Sequence, residues 1–277
     1  MTNLRVLVYG LALITAAPVC CQGQSLSPPE TVVVQSGALK LRGLLWWPAG
    51  RRPFPAVLFN HGSGSVPEPR LPWALGPVFA RHGYAFLWLF RRGAGLSSDQ
   101  GDSGTLMARA LAEKGQEGRN EVQLQLQEVE LRDVMAGLAF LRAHPGVDGG
   151  RVAIAGHSFG GQLTLLAAEQ DTGLRAVVTF GAAAGSWEKS RELRERLLVA
   201  VRNIQIPIFL MHAANDFSVL PGQVLAAELA RLKRPHELKI YPAFGDTPAK
   251  GHGAVYADVA SWEADVFRFL DEHVRSR

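Results

Sequence analysis

One short stretch limits what this chain can fold into more than any other. Residues 152–162 read Val-Ala-Ile-Ala-Gly-His-Ser-Phe-Gly-Gly-Gln, an apolar run that ends at Gly156 and is followed by a helix-like run from Gln162. Gly156 to Gly160 match the pattern G-x-S-x-G around Ser158. Between a strand and a helix, this pattern lifts the serine hydroxyl off the C-terminal edge of a sheet, and the glycines leave room for it. We therefore predict that Ser158 is a nucleophile.

The rest of the chain alternates between apolar runs typical of buried strands and amphipathic runs typical of helices. Residues 121–143 are the clearest helix, because their apolar side chains share one face and His144-Pro145-Gly146 follows them. Near the start, two strand-like runs flank Ser36-Gly37 and predict an antiparallel hairpin. The pattern predicts an α/β fold class, with a mostly parallel sheet of about eight strands and helices on both faces.

One connection is longer than the others. Residues 97–120 are polar and rich in glycine, with a short helical run at residues 106–114. Connections of this length are uncommon in compact domains unless they carry a function. We therefore expect this segment to form a lid or rim over a site.

The N-terminus is typical of a signal peptide. Arg5 gives a short positive start, and residues 6–19 are almost wholly apolar but too short to span a membrane comfortably. We predict that residues 1–23 are removed, that residues 24–39 form a spacer and the first strand, and that the catalytic domain covers residues 40–277. The mature protein is expected to be secreted or periplasmic, without stable membrane insertion.

Both cysteines of the chain, Cys20 and Cys21, lie in or beside this segment. The mature domain is therefore expected to hold neither a disulfide nor a metal-binding thiolate. A lipoprotein, acylated on one of the cysteines, is the less favoured alternative because Val19 stands where a small residue is expected.

The charge balance argues against one class of partner. The formal net charge is +4, and we find no cluster of lysine and arginine interleaved with aromatic residues. Such clusters mark nucleic-acid interfaces, so no nucleic-acid partner is expected.

A serine nucleophile needs a base within reach and an acid that orients the base, in the chain order serine, acid, histidine. Asp216, just after a strand end, is the preferred acid, and Asp246 is its rival. Of the eight histidines, His252 is the preferred base, because it lies between small residues on a loop before the last helix.

The tetrahedral intermediate of acyl transfer needs two N–H donors. Phe159, the residue after the nucleophile, supplies one in this interpretation. The second comes from the glycine-rich loop after an earlier strand, from Ser63 or Gly62. Arg91 and Arg92 follow another strand end, and we consider them as ligands for a substrate carboxylate, with support of a loop as the alternative.

Several stretches together resemble the dienelactone hydrolase family of α/β-hydrolases. They are residues 128–161 with Asp133, Asp148, Arg151 and the Ser158 motif, residues 60–64, 91–95 and 212–216, and the loop from Tyr241 to His252. The resemblance covers residues 40–275 and implies an α/β-hydrolase fold and ester hydrolysis without a cofactor or metal. Family members proper use a cysteine where this chain has Ser158. The serine brings the chain nearer to serine esterases and to prolyl-oligopeptidase-like peptidases of the same fold.

The sequence thus predicts an exported serine esterase that acts on a small carboxylic ester through an acyl-enzyme intermediate. An exopeptidase of the same fold is the first alternative, although no propeller-sized segment accompanies the hydrolase motifs. A hydrolase-like binding protein without activity is the second. The sequence leaves open the acyl and alcohol groups of the substrate and the oligomeric state.

Overall fold

The computed structural model describes residues 27–63, 70–171 and 173–276. The predicted signal peptide, its cleavage site and both cysteines lie outside the described residues, so these stay predictions. No helix of the described residues is both long enough and apolar enough to cross a membrane.

Within the described residues, eight strands form a single sheet. Their bounds are β1 Glu30–Ser36, β2 Leu39–Trp46, β3 Phe54–Asn60, β4 Ala85–Phe90, β5 Val147–His157, β6 Val177–Phe180, β7 Ile208–Ala213 and β8 His236–Tyr241. The spatial order is β1-β2-β4-β3-β5-β6-β7-β8. The pairs β1–β2 and β2–β4 are antiparallel, and all later pairs are parallel. The predicted edge hairpin and the mostly parallel eight-stranded sheet are confirmed.

The helices follow the strands in the expected alternation. Their bounds are α1 Arg70–Arg81, α2 Ser103–Ala143, α3 Phe159–Gln170, α4 Arg191–Asn203, α5 Leu220–Arg231, α6 Pro248–His252, α7 Ala254–Ala257 and α8 Val259–Leu270. Short 3₁₀ turns span Gly95–Gln100 and Trp187–Lys189. The predicted stop of α2 is confirmed, because the helix ends directly before His144 and Pro145.

The sheet is buried on both faces, which explains its uninterrupted apolar strands. In β3, Ala56 and Leu58 belong to the core on one face, whereas Val57 and Phe59 belong to the core on the other. Helices α2 to α5 cover the first face, and α1, α7 and α8 cover the second. The parallel strands therefore end at one edge, where Ser158 and the other polar residues singled out from the sequence are found.

The segment at residues 97–120 differs from its expected form. Most of it is the first part of α2, so the short predicted helix leads into the long amphipathic helix across a kink. A break occurs at Gly115, whose φ of 64° and ψ of −158° only glycine adopts readily. Met107 and Ala110 are buried on this part of the helix. Packing against the core keeps the polar segment helical.

Candidate active site

Ser158 lies in the sharp turn that the sequence predicts. It directly follows β5 and precedes α3, with φ of 56° and ψ of −118°. A non-glycine residue in this region is strained and persists only where its surroundings hold it. A Cβ atom on Gly160 would collide with the carbonyl oxygens of Asn60 and His61, and one on Gly156 would collide with Thr164. The motif glycines thus let β3 and α3 pack against the turn.

His252 and Asp216 meet at the same edge. Nδ1 of His252, the last residue of α6, lies 2.7 Å from Oδ1 of Asp216, and the ring lines a cavity of about 300 Å³ together with Ser158. Asp216 is held in a turn after β7, where its N–H donates to the carbonyl of Ala213 at 3.0 Å. Because Nδ1 donates to the carboxylate, Nε2 of His252 is left to accept a proton. Ser158 and His252 thus line one cavity, and His252 is paired with the Asp216 carboxylate.

The rival acid lies elsewhere. Asp246 is exposed and pairs with Lys250 at 2.7 Å. Its carboxylate is thus directed to a lysine of its own loop.

The carboxylate of Asp216 has a second histidine partner. Nδ1 of His212, in β7, lies 3.1 Å from Oδ2. Burial alone would raise the pKa of Asp216, but hydrogen bonds from His212 and His252 outweigh burial and lower the pKa from 3.8 to about 2. The backbone at Gly181 approaches closely, since a Cβ there would lie 2.8 Å from Oδ2. The acid is therefore ionised at neutral pH and enclosed on several sides.

A third histidine contacts the base through its backbone. Nε2 of His157, the residue before the nucleophile, donates to the carbonyl oxygen of His252 at 2.9 Å, and Nδ1 accepts from the Tyr256 hydroxyl at 3.3 Å. Burial first, and the neighbouring His252 second, lower the pKa of His157 from 6.5 to about 3. His157 is therefore a neutral ring that ties the nucleophile turn to the loop of the base.

The predicted oxyanion donors lie beside the serine. Phe159 begins α3, where the first N–H groups have no partner within the helix. A Cβ atom on Gly62 would lie 3.4 Å from Cβ of Ser158, and Ser63 lines the same cavity as the serine. The rest of this loop, residues 64–69, lies outside the described residues. The structure thus brings Phe159, Gly62 and Ser63 together with Ser158.

The two arginines are both engaged by carboxylates of α2. Arg91, 1% exposed, places Nε 2.6 Å from Glu130 and Nη2 2.9 Å from the carbonyl of His61 and 3.2 Å from that of Gly62. Arg92 forms a two-pronged pair with Asp133, at 2.8 and 2.7 Å. These contacts support the loop that carries Gly62. Binding of a substrate carboxylate by either arginine stays a prediction.

The cavity at Ser158 has a polar floor and one aromatic wall. Gln162 in α3 accepts from Gln127 at 2.7 Å and donates to Ser186 at 3.0 Å. Phe217, 51% exposed, forms the wall, and its ring centroid lies 5.0 Å from that of His252. Arg119 of α2 reaches the rim, so the segment expected to form a lid or rim contributes to the cavity.

No cluster of His, Cys, Asp or Glu that could hold a metal ion occurs within residues 27–63, 70–171 and 173–276. The sequence places His157 and His212 at strand ends, where local hydrogen bonding is the default expectation. Their positions, one residue before the serine and four residues before the acid, were the available signals. Neither position shows where a ring points.

The sequence profile of the dienelactone hydrolase family matches residues 76–274, which is most of the chain. The chain belongs to the dienelactone hydrolase family. The match includes Ser158, Asp216, His252 and both arginines, and it begins after the loop of Gly62 and Ser63. The resemblance seen in the sequence is confirmed. Among curated proteins, no sequence matches this one.

Solved structures share the fold at low sequence identity. The acylaminoacyl peptidase of Pyrococcus horikoshii superposes with a TM-score of 0.66 at 18% identity, over 91% of this chain and 43% of the peptidase. A dienelactone hydrolase from Anabaena variabilis has a TM-score of 0.62 at 20% identity, over 90% of this chain and 100% of its own. An esterase of Pyrococcus furiosus has a TM-score of 0.63 at 17% identity, over 89% and 91%.

This member of the dienelactone hydrolase family spans about two fifths of the length of the acylaminoacyl peptidases that it matches. The likeness shows the fold, and the predicted α/β-hydrolase fold is confirmed. Family membership supports a hydrolase.

Proposed function

We propose that this protein is a serine hydrolase that cleaves small carboxylic esters through Ser158, His252 and Asp216. The observation that carries the proposal is the strained backbone of Ser158, with φ of 56°, on the same cavity as a histidine already paired with a buried carboxylate. Strain of this kind at a cavity is typical of a nucleophile held ready for attack.

In the proposed reaction, Nε2 of His252 accepts the hydroxyl proton while Oγ of Ser158 attacks the ester carbonyl. The N–H groups of Phe159 and of Ser63 or Gly62 stabilise the oxyanion. His252 then donates its proton to the departing alcohol, which leaves an acyl group on Ser158. A water molecule, deprotonated by His252, releases the acid. Asp216 stays ionised throughout and holds the imidazole in the required tautomer.

The size of the cavity supports a small substrate. Its volume of about 300 Å³ lies at the lower end of the range for ligand pockets. Gln123 and Gln162 line it, and the buried amides of Gln123 and Gln127 both donate to Gln162. A short acyl group fits this arrangement better than a long aliphatic chain, because a long chain would leave the polar floor without water.

The proposal is tested by replacing the nucleophile. Ser158→Ala should lower kcat for p-nitrophenyl acetate by on the order of 10³-fold or more and leave the melting temperature unchanged. A fluorophosphonate probe should label the wild-type protein and not the variant. The control is Ser218→Ala, a serine whose hydroxyl contacts Glu188 at 3.1 Å, and this variant should be labelled normally. Hydrolysis near the wild-type rate by Ser158→Ala would refute the assignment.

A peptidase of the same fold is the second candidate, favoured by the match to the acylaminoacyl peptidases. Comparing p-nitrophenyl acetate with aminoacyl-p-nitroanilides separates the two activities. An esterase cleaves the first much faster, and faster cleavage of the anilides would favour the peptidase. Absence of probe labelling and of both activities would favour the binding protein without activity.

A further inference from the structure

The carboxylate of Asp216 is bonded on both oxygens. Oδ1 accepts from Nδ1 of His252 and from the backbone N–H of Phe217, each at 2.7 Å. Oδ2 accepts from Nδ1 of His212 at 3.1 Å. An ionised carboxylate only accepts hydrogen bonds, so the facing nitrogen of His212 carries the proton. Two histidines therefore share one acid.

Neighbouring elements hold the ring of His212 in one position. It is 4% exposed and lies four residues before Asp216, across the turn that follows β7. Gly222 in α5 packs against its far side, because a Cβ there would lie 2.7 Å from Cδ2 and 2.8 Å from Nε2. A larger residue at position 222 would push the ring toward Asp216. The strand, the turn and the helix thus converge to aim His212 at Oδ2.

We propose that His212 is a positioning residue, which fixes the Asp216 carboxylate through Oδ2 so that Oδ1 meets the base His252. The proposal rests on the proposed function. The terminal torsion of aspartate is broad, so donors on Oδ1 alone leave the carboxylate free to swing. A donor on the opposite oxygen removes this freedom. It also draws negative charge away from Oδ1, which limits how tightly Asp216 holds the proton on His252.

The proposal predicts a signed change in the pH profile. Without the donor on Oδ2, more negative charge faces His252, so the base keeps its proton to higher pH. The other groups around His252 are the same in wild type and variant. They are neutral His157 on β5, Arg119 and Lys189 at the cavity rim, and Asp258, which lines a second cavity together with Asp216 and His252. A difference between wild type and a His212 variant in the acid limb of the pH profile of kcat/KM therefore reports on His212.

The experiment compares His212→Leu with His212→Asn in ester hydrolysis. Leucine fills similar space without a donor, whereas the asparagine amide can place an N–H near the position of Nδ1. His212→Leu should lower kcat by about 10- to 100-fold, the range for a lost hydrogen bond to a charged group, with KM nearly unchanged. The acid limb of the pH profile of kcat/KM should move to higher pH by about half a unit or more. His212→Asn should restore most of kcat and much of the original limb.

Two results would overturn the proposal. One is an unchanged acid limb and kcat in folded His212→Leu. The other is an equal loss in the leucine and asparagine variants at equal melting temperature, which would mean that only packing matters. If His212→Leu does not fold, Gly222→Ala decides, because its Cβ displaces the ring without touching Asp216 or His252. Gly222→Ala should lower kcat and alter the acid limb, because the displaced ring no longer holds the carboxylate in its position, and a wild-type profile would refute the proposal.

The proposed function is tested separately by Ser158→Ala. If that variant is inactive while the His212 variants behave as wild type, only the role of His212 fails. If Ser158→Ala retains activity, the proposed function itself fails.

Discussion

Replacing His157 should make the protein more resistant to acid. The ring is buried between the nucleophile turn and the loop of His252, and its pKa is lowered to about 3 by burial and by the neighbouring His252. In the unfolded chain the same residue binds a proton below about pH 6.5. Between these two values the unfolded state binds one more proton than the folded state at this position, so acid favours unfolding.

The magnitude follows from proton linkage. Each pH unit within this interval lowers the free energy of unfolding by about 1.4 kcal/mol for one such proton. Acidification from pH 7.5 to pH 4.5 crosses roughly two pH units of the interval between the folded and unfolded pKa values. His157 alone therefore accounts for a loss of about 3 kcal/mol in the free energy of unfolding. His157→Gln removes this contribution, because the amide does not titrate and its N–H can still reach the carbonyl of His252. The variant should therefore lose about 3 kcal/mol less than wild type on acidification.

Urea denaturation at pH 7.5 and pH 4.5, followed by tryptophan fluorescence, measures both losses. Comparing the change with pH within each protein cancels any effect of the substitution that is the same at both pH values. Some acid sensitivity should remain in the variant, because burial and the charge of Arg91 also lower the pKa of His61. His236→Gln, in β8, is the control and should lose as much stability as wild type. Equal losses in wild type and His157→Gln would refute the reasoning.

Three further predictions concern the acid, the buried arginine and the cavity wall. Asp216→Asn should lower kcat for ester hydrolysis by on the order of 10²- to 10⁴-fold. Asp246→Asn changes a carboxylate that is 78% exposed and should alter kcat less than about twofold. If Asp246→Asn caused the larger loss, Asp246 would be the acid. Arg91→Met should lower the free energy of unfolding in urea by about 3–5 kcal/mol, because a buried carboxylate loses its partner; a loss below about 1 kcal/mol would contradict this. Phe217→Ala should raise the ratio of kcat/KM for p-nitrophenyl butyrate to that for p-nitrophenyl acetate by about 10-fold. Leu220→Ala, outside the cavity, should leave this ratio unchanged. Equal ratios in both variants would show that Phe217 does not limit acyl length.

The architecture could be predicted because its signals are local. β4 is apolar throughout and β3 is apolar up to its last residue, Asn60, a pattern typical of a strand buried on both faces. The turn at Ser158 is marked by glycines at fixed spacing, each needed because a neighbouring backbone or side chain comes too close for a Cβ. Residues 97–120 are only partly predictable. The short helix expected at residues 106–114 lies within α2, but the polar composition of the rest does not reveal that it is helical from Ser103 onward. Burial of Met107 and Ala110 depends on contacts made in the folded protein.

Local sequence patterns are enough to predict the layered fold and the edge of the sheet at which polar residues gather. They also mark Ser158, Asp216 and His252 as the preferred catalytic residues. The contacts among the eight histidines, and the inward direction of Arg91 toward Glu130, could be read only from the folded protein. The physical reason is that periodicity and turn chemistry act over a few residues. The direction of a side chain at a strand end depends on elements far away in the chain, as the contact between His157 and His252 shows.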